Sequence, residues 1–204
     1  MDVKLVLFDI GGVLIDYSQV FTSAERDVHI TKGVLDNTLD KYEREVAQGR
    51  ISIRDLYQLC MQENNLHADP NYDLLTSWVN DFRKIEETYN LVHDLANVYQ
   101  VSLLSNIYKG MVPMMLKQGL LPNVNYSYKF LSCDLGMEKP NEGIYALVEQ
   151  TTGLNSNAIL FIDNKSEYLA PAEKLGWKTV KFDTANPKVS CAKILEALSE
   201  TKNA

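Results

Sequence analysis

The chain has 204 residues, 46% of them hydrophobic and 23% charged, with a formal net charge of −7. That length buries one sizeable core, or a core with an insertion, and the composition is that of a folded globular protein rather than a disordered one. The acidity argues against nucleic-acid binding through a broad basic surface, and no apolar stretch approaches a membrane span. The N-terminal apolar run is short and interrupted by Asp9, which makes it a poor signal peptide. Cys60, Cys133 and Cys191 are an odd, widely spaced set. They fit reduced thiols and a cytoplasmic location better than a disulfide framework, and no Cys-x-x-Cys pair or His/Cys cluster suggests zinc.

In chain order, Leu5 to Phe8 is an apolar run leading directly into Asp9, and reads as a strand buried on both faces. Gly11 and Gly12 allow a sharp turn after it and bring backbone N–H groups close to a ligand. From about Ser18 to Arg83 no strand-like run occurs. Leu35, Leu39, Tyr42 and Val46 recur at helical spacing until Gly49. Ser52 to Asp55 reads as a capping box that starts a new helix, continued by Leu56, Leu59, Cys60 and Asn64. After Asp69-Pro70, Tyr72, Leu75, Trp78, Val79 and Phe82 give another amphipathic face.

From Glu86 the pattern changes. Tyr89, Leu91, Val92, Leu95 and Val98 make a helix, and Val101 to Ser105 a strand. Met111 to Gln118 is a helix stopped by Gly119, and Tyr128 to Ser132 a weak strand. Cys133 to Pro140 reads as a loop, with Pro140 suited to the first turn of a helix carrying Ile144, Leu147 and Val148. Ala158 to Asp163 is a strand, Tyr168 to Leu175 a helix closed by Gly176, Thr179 to Phe182 the last strand and Ala192 to Leu198 the last helix. Strands alternating with helices predict an α/β fold with a doubly wound parallel sheet. The expected division is a core of residues 1–16 and 84–204 with an all-helical cap, residues 17–83, inserted at the ligand edge of the sheet.

Asp9, Ser105-Asn106, Lys139 and Asp163-Asn164 then meet at one sheet edge, where parallel sheets hold ligands. A nucleophilic carboxylate, a hydroxyl, a cation and oxygen ligands suit phosphoryl transfer. A phosphate dianion repels an attacking carboxylate, and Mg²⁺ between them removes that repulsion. Lys139 adds a point charge that steadies Asp9. Ser105 and the backbone N–H groups after Asp9 can donate to the phosphate oxygens. His29, His67 and His93 are scattered and read as surface or packing residues. Arg44 and Arg50 could reach the cleft from the cap, with helix-surface ion pairs as their default role.

Phe8-Asp9-Ile-Gly-Gly-Val-Leu14, Leu103-Leu-Ser105-Asn106, Asp134-Leu-Gly-Met-Glu-Lys139-Pro140 and Phe161-Ile-Asp163-Asn164 resemble, in order, the four motifs of the haloacid dehalogenase (HAD) superfamily, in the branch with a helical cap after motif one. Gly49-Arg-Ile-Ser52 is similar to a cap turn of that branch. The resemblance covers nearly the whole chain, which is similar to sugar-phosphate phosphatase-like members. It implies Asp9 and Lys139 as catalytic residues, substrate contacts from Gly11, Gly12, Ser105 and Asn106, and Mg²⁺ held by Asp9, Gly11, Asp163 and Asn164. The substrate would be a small phosphorylated metabolite, and the protein a monomer or homodimer.

Two positions depart from the pattern. Gly11 stands where such phosphatases carry a second aspartate, and Asn164 where a second acid often follows Asp163. Acid–base help of the missing kind is worth about 10²–10⁴ in rate. The leading expectation is therefore a Mg²⁺-dependent phosphatase for esters with good leaving groups, acting through an aspartyl-phosphate. Asp16 is a candidate substitute acid, with a turn or cap role as its alternative. The alternatives are a catalytically impaired relative that binds a partner, and a dehalogenase-type carbon–halogen hydrolase.

Overall fold

A strand with apolar side chains on both faces needs cover on both, and the run after Lys4 has it. Leu5 and Leu7 pack into one hydrophobic cluster, and Val6 and Phe8 into another on the opposite face. The computed structural model describes residues 2–199; residues 1 and 200–204, the outer ends of the two expected core segments, lie outside the described residues. The chain runs β1 (Leu5–Phe8), β2 (Ile15–Asp16), α1 (Thr22–Val28), α2 (Lys32–Ala47), α3 (Ile53–Glu63), α4 (Leu74–Asn80), β3 (Arg83–Lys84), α5 (Glu86–Leu95), β4 (Gln100–Ser105), α6 (Met111–Lys117), β5 (Lys129–Leu131), α7 (Ser132–Leu135), α8 (Glu142–Thr152), β6 (Ile159–Asp163), α9 (Ser166–Leu175), β7 (Lys178–Lys181) and α10 (Pro187–Ser199).

The five longer strands form one parallel sheet in the order β5-β4-β1-β6-β7. With β1 central, Phe8 lies in register with Leu103 of β4 and Ile162 of β6. The carboxyl ends of three neighbouring strands therefore finish side by side. Asp9, Ser105-Asn106 and Asp163-Asn164 are delivered there by register alone.

Helices α1 to α4 occupy the interval between β2 and β3. Those two short strands pair antiparallel, Ile15 with Lys84 and Asp16 with Arg83, so the chain leaves and re-enters the sheet edge through a two-residue neck. Ile85 N–H donating to the Leu14 carbonyl (2.9 Å) and Thr88 Oγ1 donating to the Val13 carbonyl (2.6 Å) fasten that neck. Buried Asp81 at the end of α4 accepts from Ser23 N–H (3.0 Å) and Ser23 Oγ (2.5 Å), tying the ends of α1 and α4 together. The expected capping box is present: Asp55 N–H donates to Ser52 Oγ (3.1 Å) and Ser52 N–H to Asp55 Oδ2 (2.7 Å).

Several expected elements are corrected. Pro140 does not open α8: Asn141 is the N-cap, accepting from Gly143 N–H at 2.8 Å, so the helix starts at Glu142. The expected loop from Cys133 begins instead inside α7, which ends at Gly136 in the left-handed region. Helix α5 ends at Leu95, and Val98 is an exposed turn residue rather than part of its apolar face. Asn64 caps α3 instead of extending it. Helix α10 begins at Pro187, five residues before Ala192, where proline suits a first helical position.

Candidate active site

Three charges sit at the carboxyl edge of the sheet with almost no water around them. Asp9 is 7% exposed, Lys139 1% and Asp163 0%. The Lys139 ammonium lies 3.0 Å from Asp9 Oδ1 and 2.5 Å from Asp163 Oδ2. It stands between two carboxylates that would otherwise repel each other in a low-dielectric site. Burial pushes the Asp163 carboxyl up to about 6, the charge of Asp9 adding and Lys139 opposing. The Phe161 and Tyr168 rings lie 5.2 and 4.9 Å from the same ammonium and complete its enclosure.

Lys139 is held by its backbone as well. Asn106 Nδ2 donates to the Lys139 carbonyl and Asn106 Oδ1 accepts from the Lys139 N–H, both at 2.8 Å. Both ends of the Asn106 amide are engaged in placing the lysine. Ser105, expected beside it as a substrate contact, is fully buried, and its hydroxyl lies 3.4 Å from the Asn106 carbonyl. Asn106, and not Ser105, forms the cleft wall.

The turn after Asp9 is shaped by two glycines for different reasons. Gly12 has φ +75°, and a Cβ there would come within 2.2 Å of Asn164 Nδ2. Gly12 is therefore the position that lets Asn164 lie against the turn, and it stands behind the cleft wall rather than in it. Gly11 has φ outside the left-handed region, but a Cβ on it would meet the Tyr17 ring at 3.3 Å. Tyr17 thus covers the place from which a side chain at position 11 would project.

Mg²⁺ needs one or two carboxylates, neutral oxygens and room for water. Asp163 is a poor direct ligand. Its Oδ1 accepts from Lys165 N–H (2.8 Å), its Oδ2 faces Lys139, and it has no exposed surface. Asp9, Gly11 and Asn164 all line the cleft. Among the described residues, the Gly11 carbonyl and the Asn164 side chain take part in no hydrogen bond. One carboxylate with two neutral oxygens fits a hydrated Mg²⁺, with less protein charge than the expected set of four. No group of three or more His, Cys, Asp or Glu side chains that could hold a metal occurs among the described residues.

The cleft above Asp9 has a volume of about 460 Å³, a metabolite-sized space. Its floor is polar, and its far wall carries the apolar side chains of Val20, Phe21, Leu39, Trp78, Phe82 and Met111 together with the charged Asp36, Glu43 and Arg44 of α2. Phe21 and Trp78 rings stand 4.5 Å apart, and Trp78 and Tyr108 5.2 Å. Phe21 holds a left-handed φ of 70° at the head of α1, with its ring buried in this stack. Arg44 reaches the cleft as expected and pairs with Glu138 at 3.7 Å, whereas Arg50 does not line it. The three histidines are exposed and away from it. Asp16, the candidate substitute acid, is also absent from the wall. Its carboxylate accepts from Ser18 N–H (2.8 Å) and Ser18 Oγ (3.1 Å) and shapes the turn.

Residues that sequence spacing did not single out include Tyr17, Tyr168 and Lys165. Lys165 had one signal: it directly follows Asn164. Burial would lower its ammonium, but the Tyr168 and Tyr17 phenols outweigh burial and raise it. Burial pushes the Cys133 and Cys191 thiols up to about 11 and also raises Cys60, so none is an activated nucleophile.

No family model matches the chain. It is 23% identical over 192 residues to the D-ribitol-5-phosphate phosphatase of Bacteroides thetaiotaomicron, covering 87% of this chain and 90% of that protein. Among solved structures, a HAD-like family hydrolase from Porphyromonas gingivalis superimposes with a TM-score of 0.76 at 21% identity, over 96% of this chain and 98% of that one. The HAD family enzyme BT-2542 from Bacteroides thetaiotaomicron, in complex with magnesium and inorganic phosphate, superimposes with a TM-score of 0.73 at 20% identity, over 89% and 95%. The chain has the α/β fold of the HAD family enzymes, with a five-stranded parallel sheet at its centre.

Proposed function

We propose that a chain with this fold and this cleft is a Mg²⁺-dependent phosphomonoesterase for a small phosphorylated metabolite, working through an aspartyl-phosphate on Asp9. The observation that carries the reading is the buried ammonium of Lys139, 3.0 Å from Asp9 Oδ1, with Asp163 on its other side. Such an arrangement sets a positive charge beside Asp9 and fixes which oxygen is free. Oδ1 faces the lysine, and Oδ2 is the oxygen left to attack phosphorus in line. Asn106 sets the lysine's position through its backbone.

Asp9, the Gly11 carbonyl and the Asn164 amide would hold Mg²⁺, which supplies positive charge to a phosphate dianion and to the carboxylate approaching it. The apolar wall of Phe21, Trp78 and Phe82 excludes water from the leaving-group side and strengthens the electrostatics below. The D-ribitol-5-phosphate phosphatase and the magnesium and phosphate complex among the similar proteins support a phosphorylated substrate and this cofactor. With no helix among the described residues long and apolar enough to cross a membrane, we take the metabolite pool of the cytoplasm as the setting, with a monomer or homodimer as the working unit.

The test is phosphate release from a panel of aryl, acyl, sugar and alkyl phosphates, with and without Mg²⁺, beside Asp9→Asn. Release that needs Mg²⁺ and disappears in Asp9→Asn supports the reading. Release insensitive to Asp9→Asn, or none across the panel, overturns it. Metal-independent chloride release from a 2-haloacid would mark carbon–halogen hydrolysis instead.

A further inference from the structure

Position 11 poses a chemical problem: a glycine cannot give a proton to a leaving oxygen. Its backbone does not demand glycine, since its φ lies outside the left-handed region. What crowds it is the Tyr17 ring. A Cβ on Gly11 would lie 3.3 Å from Tyr17 Cε1, tighter than the ordinary separation of carbon atoms, and 3.6 Å from Cδ1, in ordinary contact. The two residues are one steric unit, and the ring takes the volume that a side chain at position 11 would use.

Tyr17 is placed there by the local chain. Gly12 N–H donates to the Ile15 carbonyl (2.7 Å), which folds the segment back across Gly11. The Asp16 carboxylate fixes the next turn by accepting from Ser18 N–H (2.8 Å), and Val20 N–H donates to the Tyr17 carbonyl (3.1 Å). Backbone and neighbours are thus committed, while the phenol hydroxyl makes no hydrogen bond among the described residues. Tyr17 is 43% exposed, and it lines the cleft with Asp9, Gly11, Lys165 and Tyr168. An aromatic residue with an unpartnered hydroxyl, against Gly11 in the cleft that Asp9 also lines, is more than a space filler.

We propose that Tyr17 is the proton donor to the leaving group, standing in for the acid that position 11 lacks; the proposal rests on the phosphatase reading above. As Asp9 Oδ2 bonds to phosphorus, the bond from phosphorus to the leaving oxygen breaks and its electron pair stays on that oxygen. The phenol O–H passes its proton to this oxygen, so the product leaves as a neutral alcohol and Tyr17 is left as phenolate. In the second half-reaction a water oxygen attacks the phosphorus of the aspartyl-phosphate and gives its proton to the phenolate. Inorganic phosphate, the Asp9 carboxylate and the phenol are restored. Tyrosine is an accepted general acid, and help of this kind is worth about 10²–10⁴-fold in rate.

The test is the dependence of kcat/KM on leaving-group pKa, measured for wild type and Tyr17→Phe across substituted phenyl phosphates and simple alkyl phosphates. Phenylalanine keeps the ring that covers Gly11 and removes only the hydroxyl. The expected result is a steeper slope in Tyr17→Phe. The loss on alkyl phosphates should exceed the loss on p-nitrophenyl phosphate by about 10²-fold or more, because nitrophenolate departs without a proton. A parallel slope, whether the overall rate falls or not, overturns the role of Tyr17 and leaves the phosphatase reading standing. If wild type shows no Asp9-dependent turnover even of p-nitrophenyl phosphate, the phosphatase reading itself falls, and this proposal with it.

Discussion

Lys139 is a fully buried ammonium, and its value is best seen by removing it. Lys139→Met would fill similar volume but leave Asp9 and Asp163 facing each other with no counter-charge. Breaking a buried pair from one side costs about 3–5 kcal/mol. Urea unfolding should show that loss, and turnover should vanish with it. Asn106→Ala is a finer probe, because it leaves the charges and removes the two 2.8 Å bonds to the Lys139 backbone. Each buried group left unpaired costs about 1–3 kcal/mol. The expected outcome is a fall in kcat larger than any change in KM, read by steady-state kinetics, since the displaced group acts on the attacking carboxylate. Asp9, Lys139 and Asn164 were legible in sequence because they end apolar runs or stand in motifs at strand ends. Tyr17 was not. Its place over Gly11 depends on a fold-back turn, and no hydrophobic period records such a turn. Ser105 and Asp163 were legible as polar strand-end residues, but their side chains lie beneath the cleft wall. A residue's position along a strand tells which end it is near and not how deep it sits.

At the scale of elements, the turn from α2 to α3 links the helices to the lysine-bearing segment. Gly49 has φ +68°, and a Cβ there would fall 2.2 Å from the Cys133 carbonyl oxygen. Gly49→Ala should therefore push the turn after α2 off α7, at a cost of about 1–3 kcal/mol in unfolding free energy. Next to it, the Ser52–Asp55 capping box starts α3. Ser52→Ala should cost about 1 kcal/mol, and the cost should depend on pH. The Ser52 hydroxyl, and then its backbone N–H, hold the Asp55 carboxyl below its ordinary range. A carboxyl lowered in the folded state binds fewer protons there than in the unfolded chain, so its stabilisation is present above the unfolded value and lost as pH falls through the folded one. The gap between wild type and Ser52→Ala should thus be full near neutrality and shrink below about pH 4, measured by urea unfolding at each pH. This capping box was readable from four residues because its chemistry is local. The neck of β2 and β3 was not, since two residues per strand carry no period, and the start of α8 was misplaced because Asn141 caps more effectively than Pro140 opens.

For the whole molecule, the parallel sheet and the helical interval were legible from the alternation of apolar runs, whereas strand order and the meeting of helices with sheet arise only from packing. That meeting is extensive. One hydrophobic cluster holds Leu35 and Val46 of α2, Tyr57 of α3 and Trp78 of α4 together with Val6 and Phe8 of β1 and Ile162 of β6. The other face of the sheet has its own cluster, with Trp177 against Tyr145 and Phe161 and its indole N–H donating to Glu149 at 2.9 Å. The chain has two tryptophans, and they report on these two clusters separately. If α1 to α4 were an independently folded cap, their loss would strip the upper face of β1 of its cover before the lower face opened. Because the apolar contacts run without a break from α2 to the sheet, exposing one side of that cluster exposes the other. Unfolding should then be a single cooperative transition. Urea titrations of Trp78→Phe and Trp177→Phe, each corrected for its own stability by a far-ultraviolet circular dichroism titration of the same variant, should give fluorescence and backbone curves that coincide in midpoint and slope. A Trp78 signal that changes at lower urea with a smaller slope than the backbone signal would show the helices opening on their own. The cleft wall of Phe21, Trp78 and Phe82 would then be a hinged cover rather than part of a continuous core.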